Sequence, residues 1–233
     1  IGVRLVGSEM CIRDSMVGEE FGTVLVRVED SKGRDFQCEV TTLRKDGGYT
    51  DGRRPDNVTF GNDIAEDLAR RDFTINAMAI EPMKGLVGEE CPSGKLIDLD
   101  GRGVKDLESG LLRTVGQAEE RIGEDGLRMV RAFRFLDLGE GGLREFDPEL
   151  SAAISSNLPM LSKVSKERIW NEFQRVLSCS NSMRIVESMV EHGIFEEILP
   201  GISINTNTNP SDDHIVNLAP VSYTHLTLPT TPY

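Results

Sequence analysis

At 233 residues and a net charge of -13, the chain could form one large domain or two small ones, with enough apolar residues for a core. The acidic balance excludes a uniformly basic nucleic-acid binder, so any RNA contact must use a local basic patch. The four cysteines, at 11, 38, 91 and 179, show neither metal-binding spacing nor a disulfide framework. Because there is no apolar run of about 20 residues and no signal-peptide order, we expect a cytoplasmic protein that does not enter a membrane.

Both ends of the chain differ from its body. The last fourteen residues, 220–233, contain no Asp, Glu, Lys or Arg, although these make up 28% of the chain. Segments 1–15 and 220–233 resemble translated sequencing-adapter DNA, and we expect both to be foreign to the fold. The charges of segment 1–15 cancel, so residues 16–219 carry the full -13.

The first elements of the body are predicted to be strands. Residues 21–28 and 35–43 alternate in polarity on either side of turn-forming residues 30–33, which predicts a β-hairpin. On its second strand Phe36, Cys38 and Val40 share one face, so Glu39 points to the other. Residues 44–60 are rich in glycine and predict a long loop.

Helices are expected to dominate the second half. A short helix is predicted from Ile64 and another just after Asp72, followed by a strand and an Asp-Gly turn in 95–103. A further helix is predicted from Glu119, later ones starting at Asp147-Pro148 and at Ser165, and one ending at Gly193. The fold class is therefore α+β, a mixed head followed by a helical body.

Asp125 and Arg128 could read a nucleotide base. Three residues apart on the predicted helix, they present one acceptor and one donor in the same direction. Cytosine and adenine each offer an amino donor beside an unprotonated ring nitrogen, which matches this pair, whereas guanine and uracil do not. The alternative is a surface salt bridge on an amphipathic helix.

Two groups of arginines could bind phosphate. Arg70-Arg71-Asp72, with Asn76 one helical turn later, could hold a phosphate and a ribose hydroxyl, or could simply be a helix cap with solvent-facing charges. The other group is a basic stripe on the predicted helix from Glu119, formed by Arg121, Arg128, Arg131 and Arg134. The alternative is that these arginines form an ordinary solvent-exposed face.

Four segments carry a family resemblance, which extends over about residues 17–200. RRDFTINAMAI (70–80) and RIGEDGLRMVRAFRF (121–135) are similar to two long motifs of the class II nucleotidyltransferases, the CCA-adding tRNA nucleotidyltransferases and bacterial poly(A) polymerases. Segments 96–116 and 165–177 resemble the family too, with Leu99 where proline is usual. Met78-Ala79-Ile80 favours the CCA-adding branch, because a poly(A) polymerase would be expected to have Leu-Tyr-Tyr there.

The resemblance implies a partial polymerase-β-like head over 16–118, a helical neck and body over 119–200, and the start of a further region over 201–219. It implies addition of C and/or A to the 3' end of tRNA, from CTP and ATP. The nucleotide contacts that the resemblance implies are Arg71, Asp125, Arg128, Arg131 and Arg134, with Asp125 and Arg128 reading the base. To these we add Asp72 and Asn76, the groups that could hold a ribose hydroxyl.

The resemblance also implies Mg²⁺, held by an Asp-x-Asp on a strand that precedes Glu39. Glu39 itself would be an accessory catalytic carboxylate. LVGSEMCIRDS (5–15) departs from the family's phosphate loop in spacing, and no Asp-x-Asp follows it. We therefore assign no metal ligand and expect an inactive fragment. Asp98 and Asp100 do not fit a calcium loop, and His192 and His214 are expected to be structural. A non-catalytic RNA-binding relative is a further alternative.

Overall fold

The computed structural model describes residues 12–15, 23–29, 35–47, 58–82 and 94–202. Within them, small antiparallel sheets occupy the first part and helices occupy most of the remainder, so the predicted α+β class is confirmed. No helix in these ranges is both long enough and apolar enough to span a bilayer. His214, most of the predicted region 201–219 and all of segment 220–233 lie outside the described residues.

The predicted β-hairpin is confirmed. Strands β2 (Thr23–Glu29) and β3 (Asp35–Thr41) pair antiparallel, and β1 (Ile12–Ser15) pairs with the other edge of β2. Val24 and Val40 face each other across β2 and β3 and remain exposed. Strand β1 falls inside segment 1–15, whose origin in adapter DNA stays a prediction.

The predicted loop over 44–60 is wrong at both ends. Strand β4 (Arg44–Asp46) pairs antiparallel with β5 (Val58–Phe60), and residues 48–57 between them lie outside the described ranges. Strands of three residues are too short to show the alternation by which a strand is recognised in sequence.

Helix α1 (Ile64–Ala69) forms as predicted and is capped by Asp63, whose carboxylate accepts the Ala65 N–H at 2.8 Å. The second predicted helix is wrong: it is a single 3-10 turn, Thr74–Asn76, followed by strand β6 (Met78–Pro82). Backbone bonds explain the difference, because Thr74 N donates to Arg113 O and Val115 N to Asp72 O. This long-range pairing fixes the backbone in place of a continuing helix.

The Asp-Gly turn follows β7 (Gly94–Asp98), which pairs with β6, and Gly101 adopts φ +60 there, where a Cβ would be strained. Asp98 accepts the N–H groups of Gly103 and Val104 and so caps helix α2 (Arg102–Ser109). Asp98 is thus a helix cap, consistent with its failure as a calcium ligand. Strand β8 (Leu111–Leu112) then pairs parallel with β9 (Glu145–Phe146).

The remaining elements are helices, whose predicted starts at Asp147 and Ser165 and stop at Gly193 are confirmed. The predicted single helix from Glu119 is wrong, because the backbone of Asp125 is extended and divides it in two. The helices are α3 (Ala118–Glu124), α4 (Leu127–Arg134), α5 (Pro148–Ser156), α6 (Lys166–Leu177), α7 (Ser182–Glu191) and α8 (Ile194–Ile198), with 3-10 turns at 139–141 and 158–163.

One hydrophobic core joins the two parts of the chain. Phe73 and Leu112 from the head are fully buried in the same cluster as Phe133 of α4 and the apolar faces of α5 to α8. His192 packs edge-on against Phe133 and bonds Ser151 Oγ at 3.0 Å, so its role is structural as expected. Helix α4 packs into this core with its apolar face, which supports the arginines on its other side.

Candidate nucleotide-binding cleft

A cleft of about 620 Å³ lies where the head meets the helices. Its walls come from β3, α1, the 3-10 turn Thr74–Asn76, the break between α3 and α4, α4 itself and the start of α6. The polar residues on these walls include most of those predicted from sequence. The lining consists of Thr41, Leu43, Asp67, Arg70, Arg71, Asp72, Asn76, Asp125, Leu127, Arg128, Arg131, Phe135 and Arg168.

Asp72 is the hub of one wall. Only 8% of the residue is exposed, and its Oδ2 accepts two hydrogen bonds from Arg131, Nε at 2.9 Å and Nη2 at 2.6 Å. Its Oδ1 accepts the Phe73 N–H at 2.9 Å and Asn76 Nδ2 at 3.3 Å. The structure therefore brings Arg70-Arg71-Asp72, the RRD segment, into contact with the arginine stripe. In the sequence the two were separate motifs.

Asp67 holds the two arginines of the RRD segment and was not predicted from the sequence. It is 2% exposed, and its carboxylate pairs with Arg70 Nη2 at 2.6 Å and with Arg71 Nη2 at 3.3 Å. The Arg44 N–H of β4 also donates to it at 3.2 Å. The spacing of three and four residues along α1 is a helical pairing pattern that could have revealed it.

The charge on Asp67 should contribute stability only above acid pH. Burial would raise the pKa of this carboxyl, but hydrogen bonds from Arg70 and Arg44 and the two guanidinium charges outweigh it and hold the pKa below the ordinary 3.8. A lowered folded pKa stabilises the fold above the unfolded pKa and loses this effect as pH falls through the folded value.

We therefore expect Asp67→Asn to lower the free energy of unfolding by a constant amount above about pH 5, and by less and less as pH falls below about 4. Urea unfolding at a series of pH values measures this difference. Glu66→Gln, on the exposed neighbour paired with Lys45, is the control and should show a much smaller change. A difference between wild type and Asp67→Asn that does not shrink in acid would contradict the prediction.

Asp125 and Arg128 both line the cleft, but they do not share one helix as expected. Asp125 lies in the break, where its Oδ1 accepts the Leu127 N–H at 3.0 Å and so caps α4. Its Oδ2 forms an ion pair with Arg168 at 2.8 Å. Arg128 pairs with Glu124, and its Nη1 also donates to Arg121 O at 2.7 Å. Each of the two residues thus has a counter-ion of its own.

Gly126, in the break, permits a close approach of two backbones. A Cβ built on it would lie 2.8 Å from the carbonyl oxygen of Met160 in the 3-10 turn 158–163. We expect Gly126→Ala to lower the free energy of unfolding by about 1–3 kcal/mol, because the backbone must move to relieve the overlap. Gly123→Ala, in α3 with open space around it, is the control and should not destabilise the fold in thermal unfolding. An equal effect of the two changes would refute this packing argument.

The arginine stripe on α4 is paired with carboxylates. Glu172 of α6, 6% exposed, lies 3.2 Å from Arg134 Nε and 3.7 Å from Arg131 Nη1, and it also pairs with Arg175. Burial lowers the pKa of Arg134, while the charge of Glu172 opposes that shift. Arg134 lies over the Phe135 ring at 4.4 Å. The interpretation of the stripe as a solvated face is therefore wrong for Arg131 and Arg134.

Glu39 lies on β3 with its side chain exposed, on the same face as Thr41, which lines the cleft. Its catalytic role stays a prediction. Within the described ranges, no three His, Cys, Asp or Glu side chains come close enough together to hold a metal ion. The described residues therefore do not form a site that fits Mg²⁺.

Glu124 and Arg168, the partners of the two proposed base-reading residues, differ in how well the sequence could have revealed them. Glu124 precedes Arg128 by four residues, a helical pairing pattern that could have been recognised. Arg168 lies 43 residues after its partner Asp125. No local pattern connects residues so far apart.

Two family models match the chain. One, described as the poly A polymerase head domain, matches residues 6–113, and the other, described as the probable RNA and SrmB-binding site of polymerase A, matches residues 145–205. The CCA-adding enzyme of Lactobacillus johnsonii is 43% identical over 185 residues, which are 79% of this chain and 41% of the relative. That of Bacillus subtilis is 40% identical over 186 residues, covering 79% of this chain and 42% of the relative.

The chain belongs to the family of CCA-adding enzymes and poly(A) polymerases. Solved structures of family members agree with the fold. A Bacillus stearothermophilus CCA-adding enzyme in complex with CTP matches with TM-score 0.62 and 36% identity, over 78% of this chain and 39% of that one. A tRNA nucleotidyltransferase complexed with a primer tRNA and an incoming ATP analog matches with TM-score 0.61 and 28% identity, over 83% and 49%. The chain spans about two fifths of the length of the curated relatives, and Asp125 and Arg128 lie between the two matched family models.

Proposed function

We propose that this chain provides the nucleotide-selecting cleft of a template-independent RNA nucleotidyltransferase that adds C and/or A to the 3' end of tRNA. The observation that carries the proposal is that Asp125 and Arg128 line the same cleft as Arg71 and Arg131, whose guanidinium groups are suited to bind phosphate. The two relatives from Lactobacillus johnsonii and Bacillus subtilis are both CCA-adding enzymes, which supports the proposed nucleotidyltransferase function.

The base is selected by hydrogen-bond complementarity. The Asp125 carboxylate can only accept and the Arg128 guanidinium can only donate. Cytosine and adenine offer an amino donor next to a ring-nitrogen acceptor, so each satisfies both groups at once. Uracil and guanine offer a carbonyl beside a protonated ring nitrogen, which places acceptor against acceptor and donor against donor. Each mismatched base would lose both hydrogen bonds and bring like groups against each other, which costs binding energy.

The triphosphate would bind to the cationic side of the cleft. Arg71 and Arg131 line it, and guanidinium groups match phosphate oxygens with two parallel hydrogen bonds. Arg134, on the same helix as Arg131, adds positive charge beside Phe135. Asp72 and Asn76 present a carboxylate and an amide that could hold a ribose hydroxyl. A local cationic cleft of this kind also explains how an acidic chain can bind a polyanion.

Mg²⁺ is part of this proposal at the level of the whole enzyme, where it would activate the tRNA hydroxyl and stabilise the triphosphate. The described residues do not form a site for it, so we derive no step through the metal. The role derived from these residues is to bind the nucleotide, to select its base and to keep the base in one orientation.

Equilibrium binding of the four nucleoside triphosphates to the chain tests the proposal. We expect CTP and ATP to bind at least about tenfold more tightly than UTP and GTP, the lower end of the discrimination that two well-placed hydrogen bonds give. A chain that binds all four equally would contradict it.

The same measurement separates the alternatives. A poly(A) polymerase relative would select ATP and bind CTP weakly, whereas a non-catalytic RNA-binding relative would bind tRNA with no preference among free nucleotides. Competition with a tRNA lacking its terminal CA tests the second substrate. We expect this tRNA to bind and a DNA duplex of equal length to compete poorly.

A further inference from the structure

We propose that Arg168 is a positioning residue for base selection, which acts by fixing the carboxylate of Asp125 in the orientation that reads a base amino group. This inference deepens the proposed function and rests on it. It assigns a role in the choice of nucleotide to α6, a helix that the sequence marks only as part of the helical body.

Asp125 is held at both of its oxygens by two different elements. Oδ1 accepts the Leu127 N–H of α4 at 3.0 Å, and Oδ2 accepts Arg168 Nη2 of α6 at 2.8 Å. Two contacts to opposite ends of a carboxylate fix its plane. Each oxygen can accept about two hydrogen bonds, so each keeps a lone pair for the nucleotide. Asp125 is therefore oriented by the protein and still able to accept from a base.

Arg168 itself has little freedom. It lies in the first turn of α6, its side chain is 29% exposed, and its other terminal nitrogen, Nη1, is buried with no hydrogen-bond partner. The next residue, Ile169, belongs to the core, and Glu172 one turn later pairs with Arg131 and Arg134 of α4. Helix α6 is thus fixed against α4 by packing and by charge, and Arg168 extends from a rigid support.

The two base-reading groups carry opposite charges and lie three residues apart, so they attract each other. A direct pair between them would use the acceptor of one and the donor of the other, and neither would remain available to a base. The structure provides separate counter-ions, Arg168 for Asp125 and Glu124 for Arg128. Removing Arg168 leaves Arg128 as the natural partner for the Asp125 carboxylate, which would then turn away from the base.

The test compares the affinities of CTP and UTP for the chain carrying Arg168→Gln, Arg168→Lys or Lys166→Gln. We expect Arg168→Gln to lower the preference for CTP over UTP at least tenfold, because UTP loses less affinity than CTP. Arg168→Lys keeps the charge but replaces the planar guanidinium with a flexible ammonium group that fixes the carboxylate less well, so it should fall between wild type and Arg168→Gln. Lys166→Gln removes an equal charge from an exposed position on the same helix and should keep the wild-type preference.

The possible results differ clearly. An Arg168→Gln chain that keeps the wild-type CTP:UTP ratio overturns the inference, and so does an equal loss of affinity for both nucleotides, which would indicate a role in binding alone. Thermal melting shows whether Arg168→Gln is folded; if it is not, Arg168→Lys decides, and an unchanged ratio in that variant overturns the inference. Failure of the proposed function is distinguishable, because it would be seen in the wild-type chain as an absence of preference for CTP and ATP.

Discussion

Replacement of Asp72 with alanine should lower the free energy of unfolding by about 3 kcal/mol and weaken CTP binding at least tenfold. Loss of one partner from a buried ion pair typically costs about 3–5 kcal/mol, and we expect the lower end because the Arg131 side chain is 30% exposed and also lies near Glu172. The alanine would also remove the acceptor for the N–H of Phe73, a residue that is fully buried. Affinity falls because Arg131 and Asn76 both lose the group that orients them.

Urea unfolding and equilibrium nucleotide binding measure the two effects. Asp72→Asn keeps one acceptor oxygen for the Phe73 N–H but loses the charge that faces Arg131, so it should destabilise the fold less than alanine. Asp100→Ala, at an exposed turn position, is the matched control and should change the free energy of unfolding by less than about 0.5 kcal/mol. If Asp72→Ala were as stable as this control, Asp72 would not be the hub that the contacts indicate.

The second large effect is expected on selectivity. Asp125→Ala should reduce the preference for CTP over UTP by about tenfold to hundredfold, which corresponds to the 1–3 kcal/mol that a well-formed two-bond base contact contributes. The alanine also removes the cap on the Leu127 N–H, at a cost of about 1 kcal/mol in the free energy of unfolding.

Asp125→Asn separates these two consequences. Its amide oxygen can still accept the Leu127 N–H, so it should lose less stability than the alanine variant. Its charge is gone and the ion pair with Arg168 cannot form, so the CTP:UTP ratio should fall in both variants. Binding constants for all four nucleotides, with melting curves for each variant, provide the measurement. Equal weakening of all four nucleotides would show that Asp125 supports the cleft without reading the base.

The predictions from sequence are correct mainly where the signal is local. The β2–β3 hairpin, the helix starts near Ile64, Asp147 and Ser165, and the stop at Gly193 all depend on residues within a few positions of one another. The two errors about helices have different causes. The segment after Asp72 is not a helix because it pairs with residues 113–115, a contact with another part of the chain that overrides local preference. The expected helix from Glu119 breaks because Asp125 caps the helix that follows it, a local contact that competes with helix continuation.

Local patterns and the two long motifs were enough to predict the α+β class, the family and six of the residues that line the cleft: Arg71, Asp72, Asn76, Asp125, Arg128 and Arg131. The long-range pairing of opposite charges, in contrast, follows from how the helices pack together. Asp72 meets Arg131 across 59 residues, and Asp125 meets Arg168 across 43. Helical spacing reveals partners three or four residues apart, but contacts at such separations arise only when α4, α6 and the RRD segment pack on one core.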